Sequence, residues 1–168
     1  MADQILCVDD DPNILEGYKR QFRKEFELTT AIGPEQGLQM VTEQGPFAVV
    51  VSDLQMPGIN GVEFLARVRA HDPDTVRMLL TGNAELQAAI DAINQGQIFR
   101  FLTKPCTSEL LGGALKAALA QYHLITAERE LLEHTLSGSI RVLSDVLALV
   151  KPEAFGRSSP ISRYDEAI

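Results

Sequence analysis

The sequence predicts an α/β fold in which five parallel strands form a doubly wound sheet, with helices on both faces. Short apolar segments alternate with longer amphipathic segments through the first part of the chain, and this alternation is typical of parallel sheets. The segment Phe47–Ser52 is a run of apolar and β-branched residues, as expected for a central strand that is buried on both faces.

The first three strands and the first two helices follow from this pattern. Gln4–Val8 is the first predicted strand and Pro12–Phe26 the first helix, with Asp11 as its N-cap and Pro12 in its first turn. The next predicted elements are a strand at Leu28–Ile32, a helix at Glu35–Glu43 and a strand at Phe47–Ser52.

The second half of the sheet follows in the same order. Asn60 and Glu63 have the spacing of a capping pair for a third helix that runs to about His71. The remaining predicted elements are a strand at Val76–Leu80, a helix at Ala84–Ile93 and a strand at Ile98–Leu102.

Apolar residues recur with alternating steps of four and three residues beyond Thr107. The series, in which only Arg129 and Ser139 are polar, is Leu111, Leu115, Ala118, Tyr122, Ile125, Arg129, Leu132, Leu136, Ser139, Leu143, Val146 and Val150. This heptad-like seam predicts a helical extension over residues 121–150 that forms a dimerising coiled coil, at least through Leu136. The alternative is two amphipathic helices broken near Ser137–Gly138. Residues 151–168 are rich in Pro, Gly and Ser and are interpreted as a connector or the truncated start of an output domain.

Composition excludes several classes of partner. The 168 residues carry 15 basic and 23 acidic side chains, a net charge of −8, which argues against broad binding to nucleic acid. Cys7 and Cys106 lack metal-ligand spacing and are expected to be reduced thiols. Without a signal peptide or a membrane-spanning segment, the protein is expected to be cytoplasmic, with no membrane partner.

Five polar side chains follow the predicted strands. Asp9 and Asp10 follow the first strand, Asp53 the third, Thr81 the fourth and Lys104 the fifth. Since the carboxyl ends of parallel strands lie at one edge of a sheet, these side chains are expected to converge there.

This combination of residues indicates phosphoryl transfer to a carboxylate. Three crowded carboxylates repel one another unless a cation joins them, and their oxygen ligands favour a hard ion such as Mg²⁺. Lys104 adds a positive charge and Thr81 a hydroxyl donor, and these groups can neutralise the oxygens of a transferring phosphoryl group. The nucleophile is then a carboxylate, which yields an acyl phosphate.

The sequence resembles the receiver domain of two-component response regulators over roughly residues 1–120. The resemblance is carried by the doublet Asp9–Asp10, by Asp53 within SDLQMPGINGVEF, by Thr81–Gly82, by Phe101 and by Lys104–Pro105. It implies a flavodoxin-like sheet with the strand order 2-1-3-4-5, and a chain that signals rather than catalysing a metabolic reaction.

The resemblance also implies a role for each site residue. Asp53 is the phosphoacceptor; Asp10, Asp53 and the Gln55 carbonyl bind Mg²⁺, and Asp9 acts largely through water. Thr81 moves to hydrogen-bond the phosphoryl group, and Lys104 pairs with it, placed by a cis peptide bond before Pro105. Phe101 stands at the position of the aromatic switch residue, where a phenyl ring can act only through packing.

Partners follow from the same resemblance. The phosphoryl group comes from a sensor histidine kinase or a phosphotransfer protein in a phosphorelay, and the resulting change passes to the dimerisation helix or to an output domain. The segment from Leu131 to Ile161 is similar to the junction between some receivers and a C-terminal HD-type domain. Any output enzyme domain is expected to be missing from this chain.

Two other functions are compatible with these residues. An Mg²⁺-dependent phosphatase with an aspartate nucleophile normally needs an acidic residue two positions after that nucleophile, where this chain has Gln55. A vestigial receiver that serves only as an interaction module is the second alternative. The complete set of Asp9, Asp10, Asp53, Thr81 and Lys104 argues against it.

Overall fold

A computed structural model describes residues 3–82, 85–95 and 98–150 and confirms the α/β class. Its five parallel strands form one sheet with the order β2-β1-β3-β4-β5, as predicted. The strands are β1 (Gln4–Asp9), β2 (Glu27–Ile32), β3 (Val49–Asp53), β4 (Val76–Thr81) and β5 (Arg100–Thr103). The helices are α1 (Pro12–Phe22), α2 (Gly33–Gln44), α3 (Gly61–His71), α4 (Leu86–Asn94) and α5 (Ser108–Val150).

Side chains that alternate along the central strands build one apolar core on each face of the sheet. Ile5 and Cys7 lie in the core that α1 and α5 cover, whereas Leu6 and Val8 lie in the core that α2, α3 and α4 cover. This alternation follows from the two-residue period of a strand. The Val49–Val51 run of β3 is fully buried because this strand pairs with β1 and β4 on either side and both faces of the sheet are covered, with Val49 and Val51 in the first core and Val50 in the second.

Several element boundaries differ from those expected. Helix α1 ends at Phe22 rather than Phe26, because the amides of Glu25 and Phe26 both donate to the Phe22 carbonyl at 2.9 Å and turn the chain toward β2. Strand β5 begins at Arg100, although Ile98 is already buried in the core. Asn60 caps α3 by accepting the Glu63 amide at 2.9 Å, as predicted. The expected start of α4 at Ala84 lies outside the described residues.

Helix α5 is continuous from Ser108 to Val150, so the alternative of a break near Ser137–Gly138 is wrong. The chain divides into two compact units, residues 1–126 and 127–168. Within the first unit, Leu111, Leu115 and Ala118 are buried against the sheet. The early part of the seam therefore packs within the domain and is not available to a second copy.

No helix among residues 3–82, 85–95 and 98–150 combines the length and the apolarity needed to cross a membrane. The connector expected at residues 151–168 lies outside the described residues.

Candidate functional site

The predicted polar side chains end their strands at one edge of the sheet. Asp9 is the last residue of β1, Asp53 the last of β3 and Thr81 the last of β4, while Lys104 directly follows β5. The register aligns these ends, since Asp53 pairs with Leu80 and Thr81 pairs with Thr103. A backbone hydrogen bond of 2.8 Å from the Lys104 amide to the Thr81 carbonyl joins the last two strands at this edge.

Three carboxylates converge at the centre of this edge. One oxygen from each of Asp9, Asp10 and Asp53 lies within 4.8 Å of the others. Asp9 is buried and Asp10 is exposed, so the cluster has one side open to solvent. An oxygen-only donor set of this size fits a hard divalent cation that keeps part of its water shell, as Mg²⁺ does.

Lys104 supplies the positive charge that faces these carboxylates. Its ammonium lies 3.0 Å from Asp53 Oδ1 and 3.5 Å from Asp9 Oδ2. Partial burial alone would lower the pKa of Lys104, but the hydrogen bond and the charge of Asp53, with Asp9, outweigh it and raise this pKa. The lysine is therefore held in its charged form beside Asp53.

The charged form of Asp9 is destabilised within this cluster. Burial raises the pKa of its carboxyl, and the neighbouring Asp53 charge raises it further. The Asp11 amide, which donates to Asp9 Oδ1 at 3.0 Å, and the Lys104 charge lower it only in part. A carboxylate whose charged form is disfavoured in this way gains most from a bound cation.

The expected switch residues surround this centre. The Thr81 side chain is buried, and its hydroxyl donates to the Gly82 carbonyl at 3.1 Å. Phe101 is half-buried and packs against the core under α2, α3 and α4. The Lys104–Pro105 peptide bond is cis, as the resemblance implies.

Gln55 is exposed and lines a cavity of about 670 Å³ together with Asp10, Asp53, Asn60 and Glu85.

Two residues that hold the backbone of Asp53 were not identified from the sequence. Gly61 begins α3 so close to Asp53 that a β-carbon on it would lie 2.3 Å from the Asp53 carbonyl oxygen. The buried Ser52 hydroxyl donates to that same oxygen at 2.9 Å. A glycine directly after the Asn60 cap was the only signal in the sequence, and glycine there has more than one explanation.

A cavity of about 680 Å³ lies between the end of α1 and the start of β2. Its walls carry Lys19, Arg20, Arg23 and Lys24, but also Glu16, Glu25 and Glu27. The opposite charges nearly balance, so this larger cavity lacks the convergent chemistry of the carboxylate site.

The chain is similar to known receiver domains. Residues 5–116 match the family model described as the response regulator receiver domain. The chain is 33% identical over 120 residues to the hydrogenase transcriptional regulatory protein HoxA of Bradyrhizobium diazoefficiens, covering 71% of this chain and 24% of that one. It is 32% identical over 126 residues to the transcriptional regulatory protein GlrR of Escherichia coli, covering 74% and 28%. The chain thus spans about a quarter of the length of these relatives.

Solved structures that are similar to this chain include receiver domains. A structure described as adenylate cyclase from Rhodopirellula baltica aligns with a TM-score of 0.77 and 39% identity, covering 79% of this chain and 98% of that one. The signal receiver domain of an HD domain-containing protein from Pseudomonas fluorescens aligns with a TM-score of 0.68 and 34% identity, covering 77% and 93%. A receiver domain from Clostridium thermocellum aligns with a TM-score of 0.69 and 30% identity, covering 73% and 98%.

The family model covers most of the described sheet and helices, and the acidic cluster, Thr81 and Lys104 all lie at the same edge of that sheet. The chain belongs to the response-regulator receiver family of two-component signalling systems.

Proposed function

We propose that Asp53 accepts a phosphoryl group from a histidine kinase or a phosphotransfer protein, and that Asp9, Asp10, Asp53 and the Gln55 carbonyl hold Mg²⁺ during this transfer. The observation that carries the proposal is the Lys104 ammonium 3.0 Å from Asp53 Oδ1, inside a cluster of three carboxylates. A vestigial module has no need to concentrate like charges around a lysine, because such crowding costs stability.

The chain's own residues perform the transfer by positioning and charge. An Asp53 carboxylate oxygen attacks the phosphorus atom, the bond from phosphorus to the donor nitrogen breaks, and the nitrogen keeps that electron pair. Lys104 then pairs with the new phosphoryl oxygens in place of the free carboxylate. Mg²⁺, when bound, neutralises the negative charge on the transferring group.

Phosphorylation of Asp53 also switches the conformation of the domain. Phosphorylation brings roughly two negative charges and three acceptor oxygens to the site. The Thr81 hydroxyl, which donates to the adjacent Gly82 carbonyl, can turn toward these oxygens. Its movement leaves room for the half-buried Phe101 ring to pack inward. A rearrangement at β4 and β5 then passes to the surface that α4, β5 and α5 build.

Homodimerisation through α5 is the second part of the proposal. The seam residues Leu132 and Leu136 are 57% and 62% exposed, although a coiled coil would bury them. Phosphorylation would then bias the geometry of the paired helices and, through them, an output domain.

An HD-type output and a cytoplasmic location remain predictions. The neighbour from Pseudomonas fluorescens, described as the receiver of an HD domain-containing protein, supports the first of these.

The direct test is intact mass spectrometry after incubation with acetyl phosphate and Mg²⁺. One added phosphoryl group is expected on the wild-type protein, and none with EDTA or on Asp53→Asn. Asp91→Asn is the matched control, because this exposed aspartate lies on α4 and accepts the Gln87 side-chain amide at 3.0 Å; it should be phosphorylated normally.

The alternatives give different results in the same assay. Absence of both phosphorylation and Mg²⁺ binding would favour the vestigial module. Repeated hydrolysis of an added phosphomonoester, abolished in Asp53→Asn, would favour the phosphatase.

A further inference from the structure

The apolar seam of α5 changes its surroundings along the helix. Tyr122 and Ile125 are half-buried and pack against the core of the domain. Leu132 and Leu136, which lie seven and eleven residues after Ile125, are exposed. The position between these two groups in the seam is Arg129, which is exposed. The first seam position beyond the domain's own core is therefore charged.

Heptad spacing assigns the neighbours of this arginine. The alternating steps place Arg129 and Leu136 at a positions and Leu132 at a d position. Glu128 then takes the g position before Arg129, and Glu133 takes the e position after Leu132. Glu128, Arg129 and Glu133 are all exposed. In paired helices, g and e side chains flank the apolar seam and can pair with charges on the partner. Since Glu128 and Glu133 are both acidic, Arg129 is the basic residue with which they can pair.

We propose that Arg129 and Glu128 form a charged layer that aligns two copies of α5 in parallel and in register. This inference rests on the homodimer part of the proposed function. In a parallel pair, a side chain at an a position enters a hole on the facing helix, whose wall includes the g residue just before the partner's own a residue. Arg129 of each copy then meets Glu128 of the other, so that the two-fold axis produces two equivalent ion pairs.

Only the in-register alignment provides these pairs. The g positions one heptad before and after Glu128 are Gln121 and Thr135. A slip of one heptad in either direction places Arg129 opposite one of these uncharged residues, so that the acidic side chain on the facing helix is lost. A single polar residue at an a position can fix the register of a coiled coil in this way, at a cost in stability.

A simpler alternative must be distinguished from this one. Arg129 and Glu133 are four residues apart on the same helix, and such a pair stabilises a single helix by about 0.2–0.5 kcal/mol without a partner. Under this alternative, reversing the charge at Arg129 leaves self-association unchanged. If Arg129 and Glu128 form the proposed layer, reversing the charge at Arg129 weakens self-association, because both ion pairs across the interface become repulsive.

Cysteine trapping in a Cys106→Ser background tests the alignment. Leu132→Cys stands on the seam, whereas Leu131→Cys, 67% exposed beside it, stands off the seam and is the matched control. Mild oxidation is expected to cross-link the first variant and not the second, because identical d positions of a parallel, in-register pair face each other across the seam, whereas the c position of Leu131 lies outside it. The remaining native thiol, Cys7, is buried and does not compete.

Charge reversal tests the layer itself. Arg129→Glu should weaken dimerisation at least about tenfold by analytical ultracentrifugation and suppress the cross-link of the Leu132→Cys variant, since two attractions become repulsions. Adding Glu128→Arg should restore both. Glu130→Arg, a charge reversal at an exposed residue outside the a, d, e and g positions, should have no effect.

The outcomes separate this inference from the function on which it rests. A wild-type protein that stays monomeric at high concentration rejects the homodimer, whereas acetyl phosphate labelling of Asp53 still tests the phosphoryl transfer. A dimer in which Leu132→Cys does not cross-link, or one that tolerates Arg129→Glu, overturns the charged layer and leaves the homodimer standing.

Discussion

Gly61→Ala is expected to disable the site without removing any of its functional side chains. The β-carbon of alanine would lie 2.3 Å from the Asp53 carbonyl oxygen and 2.9 Å from both the Leu54 α-carbon and the Leu79 side chain. Two of these three neighbours are backbone atoms, so a rotamer change cannot relieve the contact. The Gly61 amide also donates to the Leu54 carbonyl at 2.7 Å, which prevents the start of α3 from moving freely.

The size of the effect follows from this geometry. The backbone at Asp53 or Gly61 must move by about 0.7 Å to reach even a tight contact of 3.0 Å, and overpacking of this kind costs about 1–3 kcal/mol of stability. Where Asp53 is the residue that moves, its carboxylate shifts relative to Lys104. A misplacement near 1 Å can lower a reaction rate by about 10²-fold, so phosphorylation by acetyl phosphate should slow by roughly 10- to 100-fold.

Gly113→Ala is the matched control. Gly113 is exposed on α5, and a β-carbon there would have no atom within 4 Å, so the change should raise the free energy of unfolding by about 0.5–1 kcal/mol. Urea unfolding and the rate of mass increase with acetyl phosphate provide the two measurements. If Gly61→Ala matched the wild type in both, the close approach of α3 to Asp53 would not constrain the site.

Three further predictions concern the charges and thiols of the domain. Because the pKa of Asp9 is raised by burial, the folded protein binds this proton more tightly than the unfolded chain, and stability in EDTA should fall as the pH rises from the unfolded value of roughly 3.9. Asp9→Asn should therefore raise the melting temperature in EDTA at neutral pH and reduce the stabilisation by Mg²⁺. A lower melting temperature in EDTA would contradict the inference that the buried Asp9 charge destabilises the fold. Lys104→Met should slow phosphorylation by about 10²–10³-fold while Mg²⁺ still raises the melting temperature, and an unchanged rate would remove Lys104 from the mechanism. Burial raises the pKa of Cys7 to about 12, so iodoacetamide at pH 8 should leave Cys7 unmodified in the native protein and modify it after unfolding, as read by peptide mass spectrometry; rapid native labelling of Cys7 would show that the core opens.

The ends of β1, β3 and β4 could be predicted to within one residue because each of these strands is a mainly apolar run with Asp or Thr directly after its predicted end. Asp53 closes a valine run in the middle of the sheet, and parallel topology alone then places it beside Asp9 and near Lys104. The boundary of α1 could not be predicted in this way. Residues 23–26 continue its amphipathic pattern, and only the turn at the Phe22 carbonyl ends the helix.

The seam of α5 shows a different limit of the sequence. Leu115 and Leu132 follow the same heptad-like spacing, yet the first is buried in the domain and the second is exposed. Periodicity identifies an apolar face but not the surface that covers it. The contact of Gly61 with the Asp53 carbonyl was hidden for a related reason, since a close approach between backbones leaves no distinctive side chain in the sequence.

The hydrogen bond from the Lys104 amide to the Thr81 carbonyl has a consequence for the kind of signal that this domain can transmit. The two residues expected to follow the phosphoryl group are tied through their backbones, so they do not have independent degrees of freedom. A partial backbone displacement of one strains this hydrogen bond to the other, which penalises intermediate positions. Packed elements coupled in this way tend to occupy discrete arrangements. The domain should therefore respond in an all-or-none manner, so that a graded input changes the number of molecules in each state rather than the extent of the change in each molecule.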